Sequence, residues 1–300
     1  MTTFATTHPS RDVSERLREL FRTLRSFEVV RLVSRRGWPR FILSLMLAIA
    51  AIRRLRSLLG LAVFNNFTRD KYDWRRELVV ITGGSGDLGN RLVRKLAKNC
   101  IKVVSLDIIP PENPLHAASN ASFYETDVTS STSLEKAAEQ IRCDHGEPTV
   151  LVNCAAVMKM ASILDETEEQ IHQVFDVNII SSFLLIKEFL PSMIKHNHGH
   201  YVDIAVRDVF APGMNNVDYA CAKSGTLALH EGLMKELRHR YKAPKVRASV
   251  VHLPHVKTAM VEKVKGSGSL KSKIVKPEPV VDLIFRQIMS GRSGHVHLPE

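Results

Sequence analysis

Leu78-Val-Val-Ile-Thr-Gly-Gly-Ser-Gly-Asp-Leu-Gly89 decides the fold. Five residues rich in β-branched side chains run straight into a glycine-rich turn, and a helical pattern opens immediately after it. Glycines are required where a backbone turns tightly and must approach a pyrophosphate held at a helix N-terminus. Working outward, further short strand-like runs appear at Lys102–Asp107, Ala121–Glu125, Thr149–Asn153, His200–Ala205, Arg247–Leu253 and His295–Leu298. Helical patterns fill the gaps at Arg91–Asn99, Ser133–Cys143, Thr167–His196 and Tyr219–His239. This alternation predicts an α/β fold, a doubly wound parallel sheet of the Rossmann type with helices on both faces. Asp107 ends the second predicted strand, 24 residues after Gly83. A carboxylate there accepts hydrogen bonds from a ribose 2′-OH and repels a 2′-phosphate, so NAD is preferred and NADP remains possible. The plainer alternative is that Asp107 starts the turn before Pro110-Pro111.

The net charge of +11 is unevenly spread. Residues 1–60 hold twelve Arg, no Lys and four acids, a net +8, and the remaining 240 residues hold only +3. Over residues 11–36, Leu17, Leu20, Phe21, Leu24 and Phe27 recur at helical spacing among arginines, the pattern of a basic amphipathic helix for an anionic membrane surface. Phe41–Ile52 is uncharged but, at roughly 18 Å as a helix, shorter than the bilayer core. Arg53, Arg54 and Arg56 interrupt it before the apolar stretch Ser57–Phe67. Two apolar segments around a basic break read as a shallow or hairpin membrane anchor rather than a spanning helix. A cleaved targeting peptide and a helix covering an apolar patch are the rivals. The division expected is therefore an N-terminal membrane-associating appendage over 1–74 and a dinucleotide-binding domain over 75–300. Nucleic-acid binding is not expected, since no reader motif accompanies the basic stretch. Four widely spaced cysteines lack metal or disulfide spacing, and the His196, His198 and His200 group reads as solvated loop, so no metal is expected.

With these motifs in order, residues 78 to about 298 resemble the short-chain dehydrogenase/reductase family. Thr82-Gly-x5-Gly89 is similar to its nucleotide loop, which implies cofactor contacts from Gly83, Ser85, Leu88 and Gly89. Asp127-Val128 is similar to the pair that meets the adenine, and Asn153 ends the strand carrying the family's Asn-Asn-Ala-Gly. Asn178 matches the helix asparagine, Tyr219-Ala-Cys-Ala-Lys223 the Tyr-x-x-x-Lys motif, and Val256 and Thr258 the residues facing the carboxamide. The resemblance also places Lys187 near the cofactor, the alternative being a solvated helix lysine. Catalysis is implied for Tyr219, Lys223 and Asn178. Independently of the resemblance, Tyr219 and Lys223 at i and i+4 share one helix face, and an ammonium favours the phenolate. Tyr219 can then exchange a proton with a substrate oxygen during hydride transfer, while Lys223 also binds the nicotinamide ribose.

Three positions depart from the pattern. The family serine falls thirteen residues before the tyrosine, at Val206, and 199–218 contain no Ser or Thr. Asp87 stands at a glycine position, where its carboxylate would face the pyrophosphate, and Leu253-Pro254 replaces the usual Pro-Gly. The last predicted strand is followed only by Pro299-Glu300, which leaves little chain to cover a pocket. The expected function is an NAD(P)-dependent oxidoreductase interconverting a lipophilic alcohol with its ketone or aldehyde. The resemblance is greatest to the retinol/steroid/fatty-alcohol dehydrogenases of the endoplasmic reticulum and lipid droplets, with the catalytic domain in the cytosol. It also implies a possible homodimer through Thr167–His196 and Tyr219–His239. The alternative is an impaired relative that serves as a membrane-tethered nucleotide-binding or interaction protein.

Overall fold

A computed structural model describes residues 38–115, 120–207, 213–264 and 274–298. The amphipathic stretch over 11–36, Asp208 and the Gly266-Ser-Gly-Ser269 segment lie outside the described residues. Two compact units divide the chain between Gly60 and Leu61.

The apolar segment belongs to a helix, α1, that runs from Trp38 to Phe64, so that residues 61–64 at its end count with the second unit. The hairpin expectation is corrected here, because the helix passes through Arg53, Arg54 and Arg56 without a break. Arginine is a good helix former, so a basic cluster is no reason for the backbone to turn. Over Phe41–Ile52 apolar side chains are exposed around α1, Leu47 at 62% and Ile52 at 65%.

The second unit contains one seven-stranded sheet, every ladder parallel. Its strands are β1 (Leu78–Thr82), β2 (Lys102–Asp107), β3 (Ala121–Glu125), β4 (Val150–Asn153), β5 (His200–Val206), β6 (Arg247–Leu253) and β7 (Gly294–His297), in the spatial order 3-2-1-4-5-6-7. The connecting helices are α2 (Asp87–Lys98), α3 (Ser131–His145), α4 (Glu168–Phe175), α5 (Ser181–His196), α6 (Val217–His239), α7 (Ala259–Val264) and α8 (Pro277–Ser290). Alternation along each strand feeds two apolar layers. Val79, Ile81, Val152 and Val251 pack with Leu92 of α2 and Ile284 of α8. Val80, Val104 and Leu151 pack on the opposite face with Leu134 of α3, Phe189 of α5 and Leu233 of α6. Strand order reverses between β1 and β4, so the loops leaving their C-terminal ends splay apart and open a crevice.

The long helical pattern over Thr167–His196 is realised as α4 and α5 joined by a π-helical turn, Asp176–Ile180. Thr167 caps it, accepting from the Gln170 backbone N–H while the Gln170 side chain accepts from the Thr167 N–H. Among the described residues this is the one helical stretch apolar and long enough to cross a membrane by composition. Leu185, Phe189 and Met193 are nevertheless buried in the sheet's core layer, so its apolarity serves the fold.

The compact unit also takes in residues 61–74, which bind the sheet through buried polar groups. Arg247 of β6 donates to the carbonyls of Asn65 (3.0 Å) and Thr68 (3.0 Å). His198 contacts Asp70 (2.6 Å) and Glu77 (3.1 Å), which raise its pKa to about 8 against the loss caused by burial. His200 is buried against Ser249, so the three nearby histidines are separately employed. The raised His198 pKa means that protonation favours the folded state. That contribution, on the order of 1 kcal/mol after discounting for partial exposure, is full below pH 6.5 and lost as pH rises through about 8. Thermal unfolding between pH 6 and 9 should show this loss, and His198→Asn should flatten it.

Candidate active site

Eleven of the residues expected to bind cofactor or substrate line one cavity of about 1000 Å³: Gly83, Ser85, Leu88, Gly89, Asp107, Asp127, Val128, Tyr219, Lys223, Val256 and Thr258. Sequence separations as large as that between Gly83 and Thr258 collapse here because all of them leave the C-terminal edge of a parallel sheet or open the next helix. Asn153 and Asn178 are buried behind the wall instead. Lys187 is the exception. It is exposed on α5 and does not line the cavity, which corrects the expected cofactor contact and matches the solvated alternative.

The glycine turn is shaped by close backbone approach. Gly83 has φ +64°, and a Cβ there would lie 2.8 Å from Ala155 Cα. At Gly89 a Cβ would meet the Gly83 carbonyl oxygen at 2.1 Å. This cradle, which any side chain would fill, fits a dinucleotide pyrophosphate at the start of α2. Because backbone oxygen cannot move aside cheaply, Gly89→Ala should destabilise the fold by about 1–3 kcal/mol and weaken nucleotide binding, measured by thermal unfolding and fluorescence titration. Below the turn, Thr82 Oγ1 donates to Asn153 Oδ1 (2.8 Å) and accepts from the N–H groups of Cys154 and Ala155 (3.1 Å each). Asn153 Nδ2 donates to Ser182 Oγ (2.8 Å), which ties β1, β4 and α5 together beneath the cavity.

Asp107 is held by two backbone donors, Ser85 N–H at 2.9 Å and Ile108 N–H at 2.8 Å, one on each oxygen. Each oxygen retains acceptor capacity toward the cavity. Asp127 accepts from the Thr129 N–H (2.9 Å) and hydroxyl (2.7 Å), a local turn that presents Val128 to the cavity.

Asp87 departs from the sequence-based expectation. Its Oδ2 accepts the Ala259 N–H at 2.7 Å, so the carboxylate caps the start of α7. The added charge in the glycine loop thereby becomes a link between α2 and the segment after β6. No spacing rule connects two positions 172 residues apart, so this partner was invisible in the sequence.

Tyr219 and Lys223 stand in the first two turns of α6, 7% and 2% exposed. Lys223 Nζ lies 5.9 Å from the Tyr219 ring centroid and donates to the Ile204 carbonyl at 2.8 Å. Burial lowers the Lys223 pKa, opposed by the charge of Asp203. Asp203 is itself raised by burial, although Lys223 and the Tyr201 hydroxyl (2.7 Å) hold it down. Burial pushes the Cys154 thiol up to about 11, which leaves it protonated and a poor nucleophile. Asn178 lies in the π turn, where its Nδ2 donates to the carbonyls of Val157 and Val174 (2.8 Å each). Its Oδ1 is buried without a protein partner, the kind of local exception at which π turns often serve function.

Val206 closes β5 and lines the cavity, which places an aliphatic side chain at the serine position. Asn216, three residues before Tyr219, also lines the cavity, and its Oδ1 has no hydrogen-bond partner among the described residues. Sequence reasoning missed it because the search there was for a hydroxyl, not an amide.

A dinucleotide cradle at the sheet's switch point and a tyrosine–lysine pair opening one cavity define a nucleotide-dependent oxidoreductase of the doubly wound α/β class. A family model described as short chain dehydrogenase matches residues 77–267, and the chain belongs to that family. It is 37% identical to Dehydrogenase RED2 of Cochliobolus heterostrophus over 214 residues, which cover 71% of this chain and 81% of that protein. Epidermal retinol dehydrogenase 2 of Mus musculus is 26% identical over 245 residues, covering 79% of each. Among solved structures, a 4-hydroxyisoleucine dehydrogenase complexed with NADH superposes with a TM-score of 0.63 at 17% identity, covering 74% of this chain and 97% of that one, a likeness of fold. The chain is thus an oxidoreductase acting on CH–OH groups of small molecules with a nicotinamide dinucleotide.

Proposed function

We propose that the protein is an NAD-preferring dehydrogenase that interconverts a lipophilic alcohol and its carbonyl compound at a membrane surface. The observation that carries this reading is that the cavity lined by Tyr219 also draws Val157, Met158, Met160, Leu253, Met260 and Val261 into its wall, beside the polar Glu169, His172, Gln173 and Asp176. Such a wall favours a substrate whose apolar surface leaves water on binding. The apolar side chains exposed on α1 support delivery from a membrane, and the retinol dehydrogenase relative agrees in substrate type. Attachment to the endoplasmic reticulum or a lipid droplet, with the domain from residue 75 in the cytosol, belongs to the same proposal. So does a homodimer through α4–α5 and α6, where Ile180 and Phe183 are exposed.

When bound, the nicotinamide dinucleotide supplies the hydride acceptor or donor. Gly83, Ser85, Leu88 and Gly89 would cradle its phosphates, Asp107 the adenosine ribose, and Asp127 and Val128 the adenine. Val256 and Thr258 would meet the nicotinamide end, and Asn153 would act from behind the wall through the loop that it and Thr82 brace. Tyr219 would give or take the substrate oxygen's proton, and Lys223 would favour its ionised form and hold the nicotinamide ribose. Asn178 would extend the proton path behind Lys223, a role that its Oδ1, without a partner among the described residues, supports.

The test is a fluorescence titration of the full chain in mild detergent with NADH and NADPH. NADH should bind at least about tenfold more tightly, because Asp107 would face a 2′-phosphate with like charge at close range. Asp107→Ala should narrow the difference. An NADPH preference in the wild type would overturn the ribose assignment, and no binding of either would overturn the dehydrogenase reading. A second reading rests on Val206: a protein that binds nucleotide but turns over poorly and acts as a membrane-tethered partner.

A further inference from the structure

Beyond the cavity, histidines gather where α6 passes the β6–β7 edge. Val250 pairs with His295 and His252 with His297, so strand alternation puts the three histidines on one face of the sheet. The His252 and His297 rings stack at 4.4 Å, and His252 Nε2 lies 3.1 Å from His295 Nδ1. From α6, the His230 ring meets His295 edge-on at 4.9 Å, and Glu231 Oε1 lies 3.1 Å from His295 Nε2. None of these residues lines the cavity described above.

His230 is the anomaly in this group. It is 1% exposed, and neither ring nitrogen has a hydrogen-bond partner among the described residues. A buried polar group left in that condition normally costs about 1–3 kcal/mol unless something else satisfies it. One donor atom each from His230, Glu231 and His295 lies within 4.8 Å of the other two. In a tetrahedral zinc site, bonds of about 2.0–2.1 Å place ligand atoms roughly 3.3–3.5 Å apart. Closing the remaining gap requires small rotamer changes, which Glu231 can make because its side chain is 55% exposed.

We propose that His230, Glu231 and His295 form a binding site for a divalent transition-metal ion, zinc above others, with water in the fourth position. Two imidazoles and one carboxylate suit zinc, whereas calcium and magnesium take oxygen ligands almost exclusively. His252 completes the arrangement from outside. Its contact with His295 Nδ1 directs the opposite nitrogen, Nε2, toward Glu231, the orienting role that outer partners play at histidine metal sites. The bound ion would clamp the middle of α6 to the last strand of the sheet, eleven residues beyond Tyr219 on the same helix.

The test uses the full chain in mild detergent, stripped with chelator and free of any polyhistidine tag. Titration with Co2+ should give the visible absorption of a tetrahedral ion with nitrogen and oxygen ligands, and one equivalent of Zn2+ should bleach it. Zinc at about a hundredfold excess over Kd should raise the unfolding midpoint by roughly 5–10 °C. His295→Asn and Glu231→Gln alter partly exposed side chains, and each should weaken zinc binding by about tenfold or more. His196→Asn, on α5, should leave it unchanged. Absence of the tetrahedral Co2+ spectrum, or zinc affinity indifferent to His295→Asn, would overturn the proposal. Equal losses in the His196 and His295 variants would overturn it too, since the ion would then be held elsewhere.

Discussion

Tyr219→Phe is expected to lower turnover by about 10²–10⁴-fold while leaving NADH affinity within about twofold of wild type. The substitution removes one oxygen and keeps the ring, which is 93% shielded in the cavity wall at the start of α6. Packing is therefore retained, and the loss falls on proton transfer to or from the substrate oxygen. In the proposed mechanism the buried Lys223, 5.9 Å from the ring centroid, would favour the phenolate when it is protonated. Steady-state rates with a lipophilic alcohol, combined with the fluorescence titration, separate the two effects. A variant that retained a tenth or more of wild-type turnover would remove Tyr219 from the proposed mechanism.

Val206→Ser separates the two readings: in an impaired relative it is expected to raise turnover of a lipophilic ketone by about 10²–10³-fold, the usual worth of one hydrogen-bond donor aimed at a developing oxyanion, and in a working dehydrogenase it changes little. Val206 ends β5 and lines the same cavity as Tyr219, so a serine there would place a hydroxyl in the wall where the protein has only methyl groups. Asp203 cannot substitute from three residues earlier. It is buried, it accepts from Tyr201 and the Ile204 backbone, and it does not line the cavity. Asn216 is a neutral polar group in the same lining. If wild type already turns over fast, Val206→Ser changes little and Asn216→Ala costs about 10²-fold, then the amide is the donor and the impaired-relative reading fails. A large gain in the serine variant from a very low base would instead make the natural protein an impaired enzyme.

The link from Asp87 to α7 matters for both experiments. Met260 and Val261, which follow the capped Ala259 N–H, belong to the cavity wall. A residue that reads in sequence as a defect of the phosphate loop thus fastens a segment that shapes the pocket.

The sheet and its order of elements were legible without coordinates. Val-Val-Ile in β1 and Val-Val in β2 mark strands buried on both faces, and the helical patterns between them leave little besides a parallel, doubly wound arrangement. The glycine turn and the i, i+4 spacing of Tyr219 and Lys223 were equally readable, because local backbone geometry sets both. Tertiary structure decided the rest. Whether Lys187 reaches the cavity depends on which side of α5 faces the sheet, and that side holds Leu185 and Phe189 instead. α1 continues through its arginines because nothing in the helix ladder stops at a charge, although hydropathy alone suggested a break. The partners of Asp87, the amide of Asn216 in the cavity wall and the meeting of His230 with His295 join residues remote in sequence or facing. Such contacts are set by how helices pack on a twisted sheet, and no local pattern records them.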